Sequence, residues 1–180
     1  MRLSFREWCM ELRSHPVHME RKELLDTAST ADLLLCESRS EATLLFEVDV
    51  FGCTAERAKF RIGVLSQAHG AVPHMFPIPG TDRVMVGFDR RVVGVDLRTH
   101  KQAFEHELET VFHSFYHAVD HRIVMALHEI GILALSEEGQ RLWDFGKDVI
   151  TAAEVGRDSI RLTFMDSPPI VLRIRDGKVA

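Results

Sequence analysis

The feature that most constrains this chain is a tandem repeat of strand–turn–strand units in its second half. Asp82 to Phe88, a short charged break and Val92 to Leu97 make one copy. His121 to Leu127 with Ile130 to Leu135 make the next, and Asp158 to Phe164 with Ile170 to Ile174 make the last. Arg83 and Arg122 correspond, 39 residues apart. On that alignment Val84, Val86 and Phe88 match Ile123, Met125 and Leu127, which match Ile160, Leu162 and Phe164. Each triple has period two, so each strand is expected to turn one face to a core. Repeats of this length mark supersecondary units that bury apolar surface by stacking on their neighbours.

Each copy continues through a second strand into a polar turn, such as Ser136 to Gly139 or Arg175 to Gly177, and in two copies an aromatic follows, at Phe104 and Trp143. This pattern resembles a quinoprotein-type or WD-type β-propeller blade over residues 82–179, most closely from Leu133 to Trp143. The resemblance implies that Phe104 and Trp143 pack against the neighbouring blade. A full propeller takes roughly 4–8 blades of four strands, whereas this chain has three clear copies and room for a degenerate one in 31–66. The expected class is therefore mainly β: an antiparallel meander of repeated hairpins, either propeller-blade-like or closed into a barrel or sandwich. A continuous meander is favoured over a small closed ring.

Ahead of the repeat, residues 4–27 read as helical, with Phe5, Trp8, Cys9 and Leu12 at three- and four-residue spacing. Pro16 suits a restart into a second short helix, with Met19, Leu24 and Leu25 on its apolar face and a stop at Thr27 to Thr30. Strands are expected at 32–37, 42–51 and 59–66. In the second of these Phe46, Val48 and Val50 alternate with Glu47 and Asp49, the pattern of a half-buried strand. Residues 67–81 hold three prolines and two glycines and read as an internal loop. The organisation expected is an N-terminal helical segment, 1–30, followed by one β-repeat domain, 31–180.

A net charge of -5 and a pI near 6.0 argue against nucleic acid as a partner. Mild acidity instead suits a basic protein partner. No apolar run approaches the ~20 residues that span a bilayer, and charges at Arg2, Arg6, Glu7, Glu11 and Arg13 interrupt any signal-peptide core. A cytoplasmic protein with no membrane partner is expected. Cys9, Cys36 and Cys53 are odd in number and contain no Cys-x-x-Cys pair, so neither a disulfide framework nor a thiolate zinc site is expected.

Ten histidines invite a metal reading. His106, His113, His117 and His121 would share a face on a helix. The β-branched and aromatic residues of 111–118 favour a strand, which would hold His113 and His117 about 13 Å apart. His106-Glu107 and His128-Glu129 do not extend to His-Glu-x-x-His, since Thr110 and Ile132 occupy the last position. There is no Gly-x-Ser-x-Gly elbow and no phosphate-binding glycine loop. Neither catalytic residues nor a metal or cofactor are assigned.

The most structured polar signal is the tight turn of each copy: Asp89, Arg90 and Arg91; His128 and Glu129; and Asp166 with Ser167 and the two prolines after it. Equivalent turns should gather at one end, where β scaffolds place binding functions. The leading expectation is a non-enzymatic cytoplasmic binding protein, for example an immunity-type neutraliser of a basic protein. The alternatives are a histidine-dependent metal-binding enzyme, or a subunit completing a larger β assembly.

Overall fold

A computed structural model describes residues 2–14, 20–52, 59–67 and 72–180. Near the N-terminus lie β1 (Arg2–Phe5), β2 (Trp8–Ser14), helix α1 (Arg21–Ala28), β3 (Leu33–Cys36), β4 (Leu44–Gly52) and β5 (Phe60–Ser66). Their sheet has the order β1-β2-β4-β5-β3 and is antiparallel except for β3, which runs parallel to β5. Without β3 it is a four-stranded meander, interrupted between β2 and β4 by the segment carrying α1 and β3.

Two further meanders follow. The second sheet is β6 (His74–Pro77), β7 (Arg83–Phe88), β8 (Arg91–Asp96) and β9 (Lys101–Glu107); the third is β10 (Phe112–Ala118), β11 (Ile123–His128), β12 (Gly131–Ser136) and β13 (Arg141–Gly146). A fourth sheet has three strands, β14 (Ile150–Val155), β15 (Ser159–Phe164) and β16 (Ile170–Arg173). The hairpins thus build separate sheets stacked face to face, which is the blade-like alternative and not a barrel.

Cores lie between successive sheets. Met10, Val48, Val50 and Ile62 of the first sheet meet Val84, Val86, Phe88 and Val95 of the second. Met85 and Val92, on the second sheet's other face, meet Val124, Ala126, Leu133 and Leu135 of the third. Ile123, Met125 and Ile132 then meet Ile160, Leu162, Phe164 and Leu172 of the fourth. No apolar cluster among the described residues joins the fourth sheet back to the first. The first sheet's outer face is covered instead by α1, through Leu24 and Ala28 on Leu45 and Leu65. At the other end Arg161 and Arg173 are exposed, the kind of polar outer face that ends a stack of repeats.

This packing corrects four expectations. Residues 4–14 are not helical: all seven residues of β2 pair with β4, which buries Trp8, Cys9, Met10 and Leu12. The helical spacing was real, but long-range strand pairing overrode it. The helix begins at Arg21, and Pro16 and Met19 lie outside the described residues. The proline-rich stretch contains β6, an edge strand where Pro77 lies opposite Val84 and forfeits no ladder bond on its free side.

The strand β4 is buried on both faces. Asp49 is 1% exposed. It is covered by the guanidinium groups of Arg13 and Arg61, the latter donating through Nε at 2.8 Å. Glu47 beside it meets Arg61 at 3.4 Å.

The repeat register also shifts by one residue. Val84, Val124 and Ile160 face the preceding sheet, whereas Ile123 faces the following one. Both faces of the middle strands are apolar, so period two alone does not choose between registers a residue apart.

The aromatics after the polar turns do lie against the next sheet. Phe104 sits on Gly139, where an added Cβ would stand 2.1 Å from its ring, and Trp143 sits on Gly177 and donates through Nε1 to the Ile174 carbonyl at 2.8 Å. At the first junction Phe60 stacks on His100, with ring centroids 4.5 Å apart. His100, Gly139 and Gly177 occupy the same left-handed turn position, with φ of 58, 89 and 68°.

Candidate protein-binding site

The turns between the second and third strands of the second, third and fourth sheets gather at one end of the stack, two of them bound by a recurring backbone pattern. Leu108 and Phe112 donate to the carbonyls of Arg90 and Asp89, as Lys147 and Ile150 donate to those of Ile130 and Glu129. The connections from the second sheet to the third and from the third to the fourth therefore each straddle the turn before them.

The six candidate residues have different fates there. Asp89 is a strut: buried, at φ 41°, it accepts from Ser66 Oγ at 2.6 Å and from the Gln67 amide at 3.0 Å, tying the second sheet to the first. Arg90 pairs with Glu37 at 2.6 Å. Arg91 meets Glu105 at 3.4 Å and Glu107 at 3.7 Å, while its Nε is enclosed without a hydrogen-bond partner among the described residues. His128 is 5% exposed, with Nδ1 2.8 Å from Thr110 Oγ1. Glu129 lies on the surface. Asp166 is also exposed, with its amide donating to Asp148 at 3.2 Å.

Arg90 and Glu129 come together around a cavity of about 320 Å³, with Glu37, Glu41, Gln67, Glu109, Thr110 and Val111 completing the wall. Asp166 does not reach it. A smaller cavity of about 90 Å³ adjoins through Glu109 and is lined by His128, Glu107, Arg141 and Asp144 among others. Four carboxylates thus surround the larger space. Arg90, its one lining cation among the described residues, is already engaged by Glu37. Sequence reasoning missed Glu37, Glu41, Gln67, Glu109 and Thr110, because the first three lie in loops that flank strands of the first sheet and the last two in a connection with no periodic signature.

The four histidines of 106–121 do not share a face. His106 donates through Nε2 to the Gly139 carbonyl at 2.7 Å, His117 meets Glu137 at 3.1 Å, His121 meets Asp158 at 2.9 Å, and His113 is exposed beside a bulge in β10. Among the described residues no three His, Cys, Asp or Glu side chains are grouped to hold a metal ion. Cys53 lies outside those residues, while Cys9 is buried and Cys36 half-buried, neither in a disulfide among the described residues. No described helix is long and apolar enough to cross a membrane.

Solved structures share this arrangement. A chain of a mitotic checkpoint complex superposes with a TM-score of 0.52 at 12% identity, over 74% of this chain and 46% of that one. Sqt1 from Saccharomyces cerevisiae gives 0.53 at 11% identity, over 80% and 44%, and the computationally designed protein Ika8 gives 0.51 at 16%, over 76% and 44%. The neighbours include WD40 and propeller proteins. The chain has a propeller-like fold. It spans less than half the length of each of these structures. No protein-family model matches the sequence, nor does any curated protein.

Burial pushes the His128 imidazole down to about 4, and neighbouring His113 adds to the effect. His74 is also lowered, by burial first and then by His113. Below the ordinary value of 6.5 the unfolded chain takes up a proton at His128 that the folded chain refuses, so stability falls as pH drops from about 6.5 towards 4. His128→Phe should remove on the order of 1–2 kcal/mol of that fall, less than the whole shift implies because the ring is partly open to water. Urea titrations of both proteins at pH 7 and pH 4.5 measure it, and equal pH dependence would refute the assignment.

Proposed function

We propose that this chain is a non-enzymatic, cytoplasmic protein-interaction module whose acidic turn end holds a basic protein partner. The observation that carries the reading is the cavity walled by Glu37, Glu41, Glu109 and Glu129, at the end where the blade turns converge. Loops held by a rigid β stack suit binding. That one similar fold comes from a mitotic checkpoint complex agrees with use of such blades in protein assemblies. A neutraliser of a basic protein is the concrete form of this reading. Completion of a larger β assembly is less well supported, since α1 covers one end of the stack and the other presents Arg161 and Arg173.

Affinity capture from the native host at graded salt tests the proposal. A one-to-one complex is expected, weakening as salt screens the carboxylates. Reversing charge with Glu109→Lys and Glu129→Lys together should weaken it at least about thirtyfold, roughly 1 kcal/mol per lost charge contact. Capture of no protein at any salt concentration would overturn the reading.

A further inference from the structure

His128 stands where the flanking blades carry phenylalanine. Phe88, His128 and Phe164 each lie four residues beyond an equivalent inward position, and Phe88 pairs with Arg91 as His128 pairs with Gly131. A buried phenylalanine is the repeat's own solution here, so a histidine adds a polar ring that the packing does not need. Gly131 makes room for it: an added Cβ there would stand 2.9 Å from His128 Nε2.

One ring nitrogen is occupied. Thr110 Oγ1 accepts from the Ile130 amide at 3.3 Å and stands 2.8 Å from His128 Nδ1, with its own hydroxyl proton available for that nitrogen. With the hydroxyl donating to Nδ1, the neutral ring carries its proton on Nε2. Nε2 has no partner among the described residues. It is also not among the fully enclosed orphans, where Arg91 Nε stands alone, and His128 lines the smaller cavity. A buried side chain, 5% exposed, thus carries a ring nitrogen with no partner among the described residues and lines a space that shares Glu109 with the acidic cup.

A donor next to carboxylates calls for a ligand bearing an acceptor and a cation together. A lone ammonium or guanidinium satisfies the carboxylates and leaves Nε2–H unmet. A peptide carries a carbonyl within a few bonds of its basic side chain and satisfies both. We propose that this end is a two-point site for a basic peptide segment: His128 Nε2–H donates to a backbone carbonyl, while Glu109 and Glu129 hold an arginine or lysine head. This rests on the basic-partner reading and specifies its chemistry.

The test uses the full chain with the capped peptide Ac-Gly-Arg-Gly-Arg-Gly-Arg-NH2 and its glutamate counterpart, followed by calorimetry and by the nitrogen-15 shift of His128 Nε2. The arginine peptide should bind and move that resonance, and the glutamate peptide should do neither. His128→Phe restores the repeat's residue and should keep the fold while binding roughly three- to tenfold more weakly, the value of one hydrogen bond. His128→Gln, which keeps a donor, should recover part of the loss. Glu109→Gln with Glu129→Gln should weaken binding more than about tenfold.

If the carboxylate variants weaken binding and His128→Phe does not, the two-point site is wrong and the basic-partner reading stands. Absence of saturable binding by the arginine peptide at millimolar concentration also overturns the site, leaving the capture experiment to judge the broader reading. Equal binding of both peptides overturns both.

Discussion

Gly139→Val is expected to lower stability by about 3 kcal/mol, the sum of holding a β-branched residue in the left-handed region and of forcing side-chain bulk into a packed junction. The melting temperature should fall by roughly 6–12 °C for a domain of this size. Gly139 has φ 89°, and an added Cβ would lie 2.1–2.5 Å from three atoms of the Phe104 ring. That contact lies at the junction of the second and third blades, beside the core formed by Met85, Val92, Val124 and Leu133. Gly80 supplies the control: its φ is 76°, yet nothing lies within 4 Å of an added Cβ. Gly80→Val therefore carries the backbone strain without the collision. If both variants lose the same stability, the aromatic–glycine contact is not what holds the junction. Pairing Gly139→Ala with Phe104→Ala gives a second check, since removing the ring should recover the steric part of the loss.

Asp89→Ala is expected to cost about 3 kcal/mol, because two hydrogen bonds to a buried carboxylate are lost together. Both cross from the second sheet to the first, from Ser66 Oγ and from the Gln67 amide. The next residue, Arg90, faces the acidic cavity with Gln67, so the variant should loosen the rim as well as the junction. Asp89→Asn keeps a residue that tolerates φ 41° and should lose less. Urea denaturation gives the stability, and hydrogen exchange at the Gln67 amide reads the local tie. Unchanged exchange there with lowered stability would place the loss elsewhere.

These two sites show what was readable in advance. Asp89 stood out as a turn residue, but as a surface ligand; its burial follows from Ser66 and Gln67, which another sheet delivers. Phe104 and Trp143 were readable as packing aromatics because each follows the polar turn of its repeat. Their contacts with Gly139 and Gly177 bear that out. The strands after residue 31 were legible from β-branched runs between turns. Residues 4–14 were not, because a short run with apolar residues three and four apart fits a helix until a partner strand is known. That partner, β4, lies more than thirty positions along the chain.

The acidic cup was legible only in part. Arg90 and Glu129 were picked out by their place in the repeat, whereas Glu37 and Glu41 arrive from the segment around α1 and β3, and Glu109 from a connection between sheets. No local pattern links them. By itself the sequence determined the repeating hairpin, its turn ends and its mainly β class, because alternation and turn chemistry act within a few residues. The tertiary structure alone decided the register, the strand identity of the first segment and the membership of the site. A blade with two apolar faces buries neither by itself, so its neighbours choose which residue faces which way.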